Sequence, residues 1–447
     1  MSDPAMDQSS PKTLLERRLD PLREPFRDFI GAQTTAGALL ILAIIAALFI
    51  FNLSGAHVYR SIGEMTVGFM LNGSQFSTTL HGFTNEALIA VFFFLIGLEI
   101  KRELIAGELQ EPAKRRMLVV TAAGGMAAPA AIYAGINLWS GQGDIAGWGI
   151  PMATDTALAI GILAMLDRRL VKGAAAFLVG LAIVDDIGAV VVIALFYSDT
   201  IRMLPLLIAA GLLAVGAFIN YAGVRHPFAY MLLGILLWIA IHNSGIHAGI
   251  SGILTAATVP ARPRMHAGRL LTRLRKSMDT IHPEASVLSD PGSHDQIESI
   301  ATEARMATTP LRRWERRLDL PVALFILPLF AFLNAGVPLD PALLHAAMLD
   351  PVTLGIMFGL ILGKPLGIVA SALLASRMGL GKLPDNLNLR HLIGLGLLAG
   401  IGFTMATFIA DLALPAARLE LAKIAILSAT LVAGLLGYGI LRWASSR

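Results

Sequence analysis

Twelve stretches of mainly apolar residues follow one another along this chain, and no other feature restricts its fold so strongly. They cover approximately 34–53, 86–105, 117–138, 147–166, 174–197, 203–221, 227–241, 245–260, 320–337, 352–376, 391–413 and 421–441. A helix needs about 20 such residues to cross the hydrocarbon of a bilayer, so the runs read as transmembrane helices. Composition agrees. Only 15% of the 447 residues are charged and 55% are hydrophobic, with a mean hydropathy of +0.69, whereas soluble domains are about a quarter charged. The expected fold is an all-α polytopic membrane protein of about twelve transmembrane helices.

The basic residues give an orientation. With twelve spans and the N-terminus inside, thirty of the 35 Lys and Arg residues fall in cytoplasmic segments. Only Arg60, Arg202, Arg418 and Lys423 fall outside, and Lys364 sits within a span. That asymmetry follows the positive-inside rule and places both termini in the cytoplasm. An organisation results: 1–33 as a cytoplasmic N-terminal segment, 34–260 as helices one to eight, 261–318 as a long cytoplasmic loop, 319–443 as helices nine to twelve, and 444–447 as the C-terminus. Within the loop, "DQIESIATEARMAT" spaces Ile297, Ile300 and Ala304 for a surface helix. The polar, charged first 33 residues do not read as a cleaved signal peptide. Cysteine is absent, which excludes disulfides and thiolate metal sites. The net charge of +4, with no basic patch interleaved with aromatics, argues against nucleic acid.

Two spans are interrupted by residues that unsettle a helix. One reads "GWGIPMATDTALAIG", with Pro151, Thr154 and Asp155 inside it; the other reads "GLGLLAGIGFTMATFIADLALP", with Gly396, Gly400 and Gly402. Non-helical backbone at membrane depth is tolerated only when buried in protein or lining a wet cavity. Paired interruptions in corresponding halves point to inverted repeats around a transport site, and "PMATDTALA" lies loosely against "TMATFIADLA".

Asp155, Asp185, Asp186 and Lys364 lie deep in the spans. An Asp at the bilayer centre costs roughly 2.5–3.5 kcal/mol on the insertion scale, and such residues usually mark ion or proton pathways. Three carboxylates against one ammonium leave negative charge for a cation to balance. Carboxylate and hydroxyl oxygens, with Thr154 adding one, suit a hard cation or a proton. Adjacent residues on a helix project about 100° apart, so Asp185 and Asp186 cannot grip one ion symmetrically. One carboxylate is expected to face the cation and the other the lysine. A site that holds a cation only when deprotonated releases it on protonation, and alternate exposure to the two sides then gives exchange.

The motifs "VDDIGA", "PMATDTALA", "FFFLIGLEIKREL", "LILGKPLGI" and "GIGFTMATFIA", in this order, closely resemble the NhaA-type sodium/proton antiporters, from about residue 30 to 443. The resemblance implies two discontinuous helices crossing near the midplane and electrogenic exchange of cytoplasmic sodium or lithium for external protons, serving pH and sodium homeostasis in the bacterial inner membrane. It implies no cofactor beyond the transported ions. Asp186 would be the principal sodium ligand with Asp185 its partner, Lys364 would pair with Asp185, and Asp155, next to Thr154, would offset positive helix ends. Glu99, Arg102, Glu103 and Glu315 match the family's pH-sensing cluster, and His247 a histidine linked to pH response. Snorkelling side chains at a span end, and a packed histidine, explain the same residues equally simply.

This chain departs from the pattern in three places. The 261–318 segment is long, Arg316 and Asp319 stand where some members have histidines, and "VYRSIGEMTVGF" diverges where some members form an external hairpin that supports a dimer. The homodimer is therefore left open. Among rival readings, an intramembrane aspartyl protease would need Asp155 and Asp186 to face each other across a water. "GQGD" (141–144) lies in a polar loop and does not supply its motif. A cation channel would need repeated filter loops, which do not occur, and an organic-solute carrier would need aromatic or amide groups near the buried charges, where they are sparse.

Overall fold

A computed structural model of the chain describes residues 33–53, 55–71, 74–166, 168–198, 200–263, 307–381 and 387–445, with scattered positions between 268 and 304. Most of the 261–318 loop, Ile297 of its expected surface helix, and the N-terminal segment up to residue 32 lie outside the described residues.

Each apolar run carries helix. The chain begins with α1 (Gln33–Leu53), a short α2 (Ala56–Gly63) and an antiparallel hairpin of β1 (Thr66–Leu71) and β2 (Ser74–Thr79). α3 (Leu80–Ala106) and α4 (Pro112–Ser140) follow. A 3₁₀ turn (Ile145–Met152) then leads through extended residues into α5 (Thr156–Leu163). Next come α6 (Arg168–Phe196), α7 (Met203–Tyr221), α8 (Pro227–Asn243) and α9 (Ile250–Thr258). The second part holds α10 (Pro310–Asn334), α11 (Pro341–Leu349), α12 (Pro351–Arg377), α13 (Leu389–Ala399), α14 (Phe403–Ala413) and α15 (Ala416–Ser445).

Among the described residues, nine helices are long and apolar enough to cross a membrane, or ten if α13 and α14, bent by 48° at their junction, count as one. The seventh and eighth runs form helices of only 17 and 9 residues. Gly245, at φ +85°, turns the chain between them. Twelve crossings are thus an expectation from the runs and not a count of full-length helices. The hairpin is an exception to an all-α fold. It forms at the end of the divergent stretch, where β-branched Thr66, Val67, Thr78 and Thr79 pair across the strands and favour pleated backbone.

Prolines follow two of the places where the helices depart from regular α geometry. Two π turns, Val322–Ile326 in α10 and Gly359–Gly363 in α12, each precede a proline, Pro328 and Pro365. A proline cannot donate to the carbonyl four residues back and clashes with it, and the π turn takes up the misfit. The one in α12 ends immediately before Lys364. Small residues then let backbones approach, as is usual between helices in lipid. Where α12 crosses α4, a Cβ on Gly367 would lie 2.2 Å from the Gly124 carbonyl oxygen, so only glycine fits. At the rim, α7 buries only Ala209 and Gly216 and turns Leu204, Leu207 and Phe218 outward, as expected of a surface wetted by lipid.

Polar contacts close the two ends of the bundle. At one end Arg60 meets Glu420 and Arg418 meets the Gln142 carbonyl. At the other, Arg102 meets Glu315, and Lys101 donates to the carbonyls of Ala257 and Val259.

Candidate functional site

The two interruptions meet inside the bundle. After Met152 the backbone is extended from Ala153 to Asp155 before α5 begins. Across from it, residues 400–402 separate α13 from α14. The Asp155 N–H donates to the Ile401 carbonyl at 2.5 Å, and a Cβ on Gly402 would stand 2.7 Å from the Ala153 carbonyl oxygen. The sequence likeness through Met-Ala-Thr does not mark equivalent places. Met152–Thr154 sit in the first break, whereas Met405–Thr407 lie inside α14. The second break is made by the glycines three residues earlier.

Each unwound segment leaves amides and carbonyls to be satisfied, and Asp155 answers for both. Its Oδ1 accepts the Leu158 N–H at the start of α5 (3.2 Å), and its Oδ2 accepts the Thr404 N–H at the start of α14 (3.3 Å). One carboxylate thus lies between the positive ends of two half-helices, where a negative charge is stabilised. Thr154 serves the carbonyl side. Its hydroxyl stands 2.9 Å from both the Ala399 carbonyl and Asp185 Oδ2, and with one proton it can donate to only one of them at a time.

α6 carries Asp185 and Asp186 into this region, and their environments differ. Asp185 is 1% exposed, and its Oδ2 accepts from Lys364 Nζ at 2.5 Å, with the lysine fully buried. Its Oδ1 is buried with no hydrogen-bond partner among the described residues. Asp186 is partly accessible, and no hydrogen bond to it is formed among the described residues. It lies within electrostatic reach of Asp185, Glu99, Asp155 and Lys364. The structure therefore separates a carboxylate tied to the ammonium from one open to a guest.

Glu99, Arg102, Glu103 and Glu315 come together from α3 and α10. Arg102 reaches Glu315 at 2.5 Å and Glu103 at 2.7 Å, and Glu99 lies within range of all three. His247 does not join them. It lies in the turn between α8 and α9, where Nδ1 accepts the Gly249 N–H (3.0 Å) and the ring meets Phe408 edge-on at 4.7 Å. An accepting Nδ1 leaves the proton on Nε2, which suits a packed neutral ring. Asp155 spends both oxygens on backbone amides. Among the described residues no three acidic or imidazole side chains converge as in a resident metal site.

A family profile described as "Na+/H+ antiporter 1" matches residues 27–441. The chain belongs to this Na+/H+ antiporter family. Relatives share its full length. A protein of Shewanella denitrificans called "Na(+)/H(+) antiporter NhaA 1" is 44% identical over 98% of both chains. "Na(+)/H(+) antiporter NhaA 2" of Psychromonas ingrahamii is 44% identical over 96% of this chain and 91% of its own. "Na(+)/H(+) antiporter NhaA" of Sulfurimonas denitrificans is 39% identical over 96% and 97%. Membership makes this a multi-pass membrane protein of a transporter family. The sequence reading passes over Thr404 and the carbonyls of Ala399 and Ile401, which act through the main chain. Main-chain roles leave no side-chain signature beyond the glycines around them.

Proposed function

We propose that the protein exchanges cytoplasmic sodium, or lithium, for external protons by alternating access, and that the exchange is electrogenic and serves pH and sodium homeostasis in the bacterial inner membrane. One observation carries this reading: a partly accessible Asp186 that makes no hydrogen bond among the described residues, beside a buried Asp185 held by Lys364. Sodium would bind at Asp186, with Asp185 Oδ1 and the Thr154 hydroxyl as further oxygens, a donor set suited to a hard cation. Protons arriving on these carboxylates remove the charge that holds the ion, so occupancy by one excludes the other. Lys364 keeps Asp185 neutralised when no cation is present and gives way when one arrives. Asp155 fixes the two half-helices around the site.

In this reading the Arg102 end faces the cytoplasm together with both termini, residues 261–318 form a cytoplasmic loop, and the Arg60 end is external. Helices α4 and α6 flanking the first break, and α12 and α15 flanking the second, would be inverted repeats. Glu99, Arg102, Glu103 and Glu315 would set the pH response from the cytoplasmic end. A homodimer, which some family members support through an external hairpin, is compatible with the β1–β2 hairpin formed here.

The test is a pH-gradient assay in proteoliposomes with sodium, lithium and potassium. Sodium or lithium should dissipate the gradient, potassium should not, and Asp186→Asn should abolish the response while the protein still purifies as a folded species. Normal exchange in that variant would overturn the assignment, and sodium current without proton movement would indicate a channel.

A further inference from the structure

α14 is apolar apart from three residues, Thr404, Thr407 and Asp411, and their spacing of three and four puts them on one face. The stripe starts at the central carboxylates, where the Thr404 N–H meets Asp155. It ends about 10 Å further along the axis, seven residues at 1.5 Å each, at Asp411. There the Asn85 side chain of α3 donates to Asp411 Oδ2 (3.4 Å), and Asn85 and Asn334 of α10 are hydrogen-bonded to each other (3.0 Å). His81 Nε2 lies 3.1 Å from Asn334 Oδ1. His81 in turn lines a pocket of about 370 Å³ at the Arg60 end, together with Tyr59, Glu64, Glu420 and Lys423.

Two details separate this stripe from ordinary packing. Thr121 and Thr255 return their hydroxyl to their own helix, to the Met117 and Ser251 carbonyls, the usual local solution, whereas the hydroxyls of Thr84, Thr407 and Thr430 find no partner among the described residues. Thr407 is completely buried and its hydroxyl has no partner among the described residues, an expensive arrangement unless something polar passes it. Lys423 lies 3.4 Å from Asp411 Oδ1 without hydrogen-bond alignment, a loose pairing that an arriving cation can displace.

We propose that the Thr404–Thr407–Asp411 face of α14, flanked by Asn85 and Asn334, is the polar passage between the central carboxylates and the Arg60 end of the bundle, with Asp411 collecting cations at its mouth. This rests on the exchange reading above. Hydroxyl, amide and carboxylate oxygens in file can replace part of the hydration of a sodium ion or order a file of water for protons. The lining of α14 is apolar on its other faces, which leaves this stripe as its polar route.

The chain contains no cysteine, so a single introduced thiol reports without background. In proteoliposomes exchanging sodium for protons, Thr407→Cys should react with a membrane-impermeant methanethiosulfonate added on the Arg60 side, and sodium should slow the reaction. A control cysteine at Leu431, on the outer face of α15, should stay unlabelled. Failure of Thr407→Cys to react while exchange proceeds would overturn the passage and leave the exchange reading intact. Thr407→Val supplies the second measurement. Exchange should slow by at least about tenfold, the weight of one lost polar contact, with equilibrium sodium binding in detergent unchanged and Thr407→Ser restoring the rate. Full-rate exchange in Thr407→Val would also refute the proposal, whereas loss of exchange in Asp186→Asn alone tests only the central site.

Discussion

Lys364→Met removes the ammonium from a pair in which both side chains are essentially inaccessible, 0% and 1% exposed at 2.5 Å. The methionine fills similar volume, so the loss is electrostatic and not a cavity. Asp185 is then left with the shared Thr154 hydroxyl and an Oδ1 that already lacks a partner. Breaking one side of a buried pair costs about 3–5 kcal/mol, because the remaining charge is uncompensated. At roughly 1–2 °C per kcal/mol in a chain of this size, extrapolated from smaller domains, the melting temperature in detergent should drop by about 5 °C. The Lys364→Met/Asp185→Asn double variant removes both charges and should recover most of that loss, which a double-mutant cycle read by thermal unfolding would detect. The deficit of the single variant should also shrink at acid pH, since a protonated Asp185 needs no counter-charge. A single variant as stable as the parent, or a double variant as unstable as the single, would refute the claim that the pair is held by charge.

Asp155→Ala should destabilise by about 1–2 kcal/mol, the range of a lost N-cap, and lower the thermal midpoint. Asp155→Asn retains one acceptor oxygen and should lose less. Gly367→Val should prevent α12 from closing on α4 and abolish folded protein by size-exclusion chromatography, while Gly135→Ala, with nothing within 4 Å of the added carbon, should be neutral. Arg102→Gln releases Glu103 and Glu315 together. Because the side chains are only 22%, 13% and 9% exposed, losing the guanidinium leaves poorly compensated carboxylates, so the thermal midpoint should fall and the pH profile of exchange should shift with it. Burial pushes the Tyr59 phenol up from its ordinary 10.0 to about 12. Its folded form keeps the proton that the unfolded form loses, so its contribution to stability is complete below pH 10.0 and is lost as pH rises towards about 12, which an ultraviolet titration of Tyr59→Phe against the parent would isolate.

The helices were legible because apolar runs near 20 residues admit few alternatives in a membrane. The carboxylates and Lys364 were legible because each is conspicuous in lipid. Pairing across distance was legible only through the family resemblance, which implied that Lys364 would pair with Asp185 and that Arg102 would cluster with Glu315, 213 positions ahead; the structure shows both contacts. The break in the second span falls at Gly400 and Gly402, two of the three glycines conspicuous in the sequence, whereas Gly396 stays inside α13 and the shared Met-Ala-Thr tripeptide inside α14. The hairpin was signalled only by the family resemblance at the divergent "VYRSIGEMTVGF" stretch, because two six-residue strands carry little signal of their own beside long helices. Thr407 escaped notice because a threonine in an apolar run normally bonds to its own helix, and only the coordinates show that this one does not.

Asp155 gives its two oxygens to two different half-helices, one starting α5 and the other starting α14. The consequence is mechanical. A single side chain rivets segments almost 250 residues apart in sequence, so neither can tilt alone without surrendering a hydrogen bond from a backbone N–H in a dry setting. Any swing that turns the centre from one face of the membrane to the other must carry both as one lever.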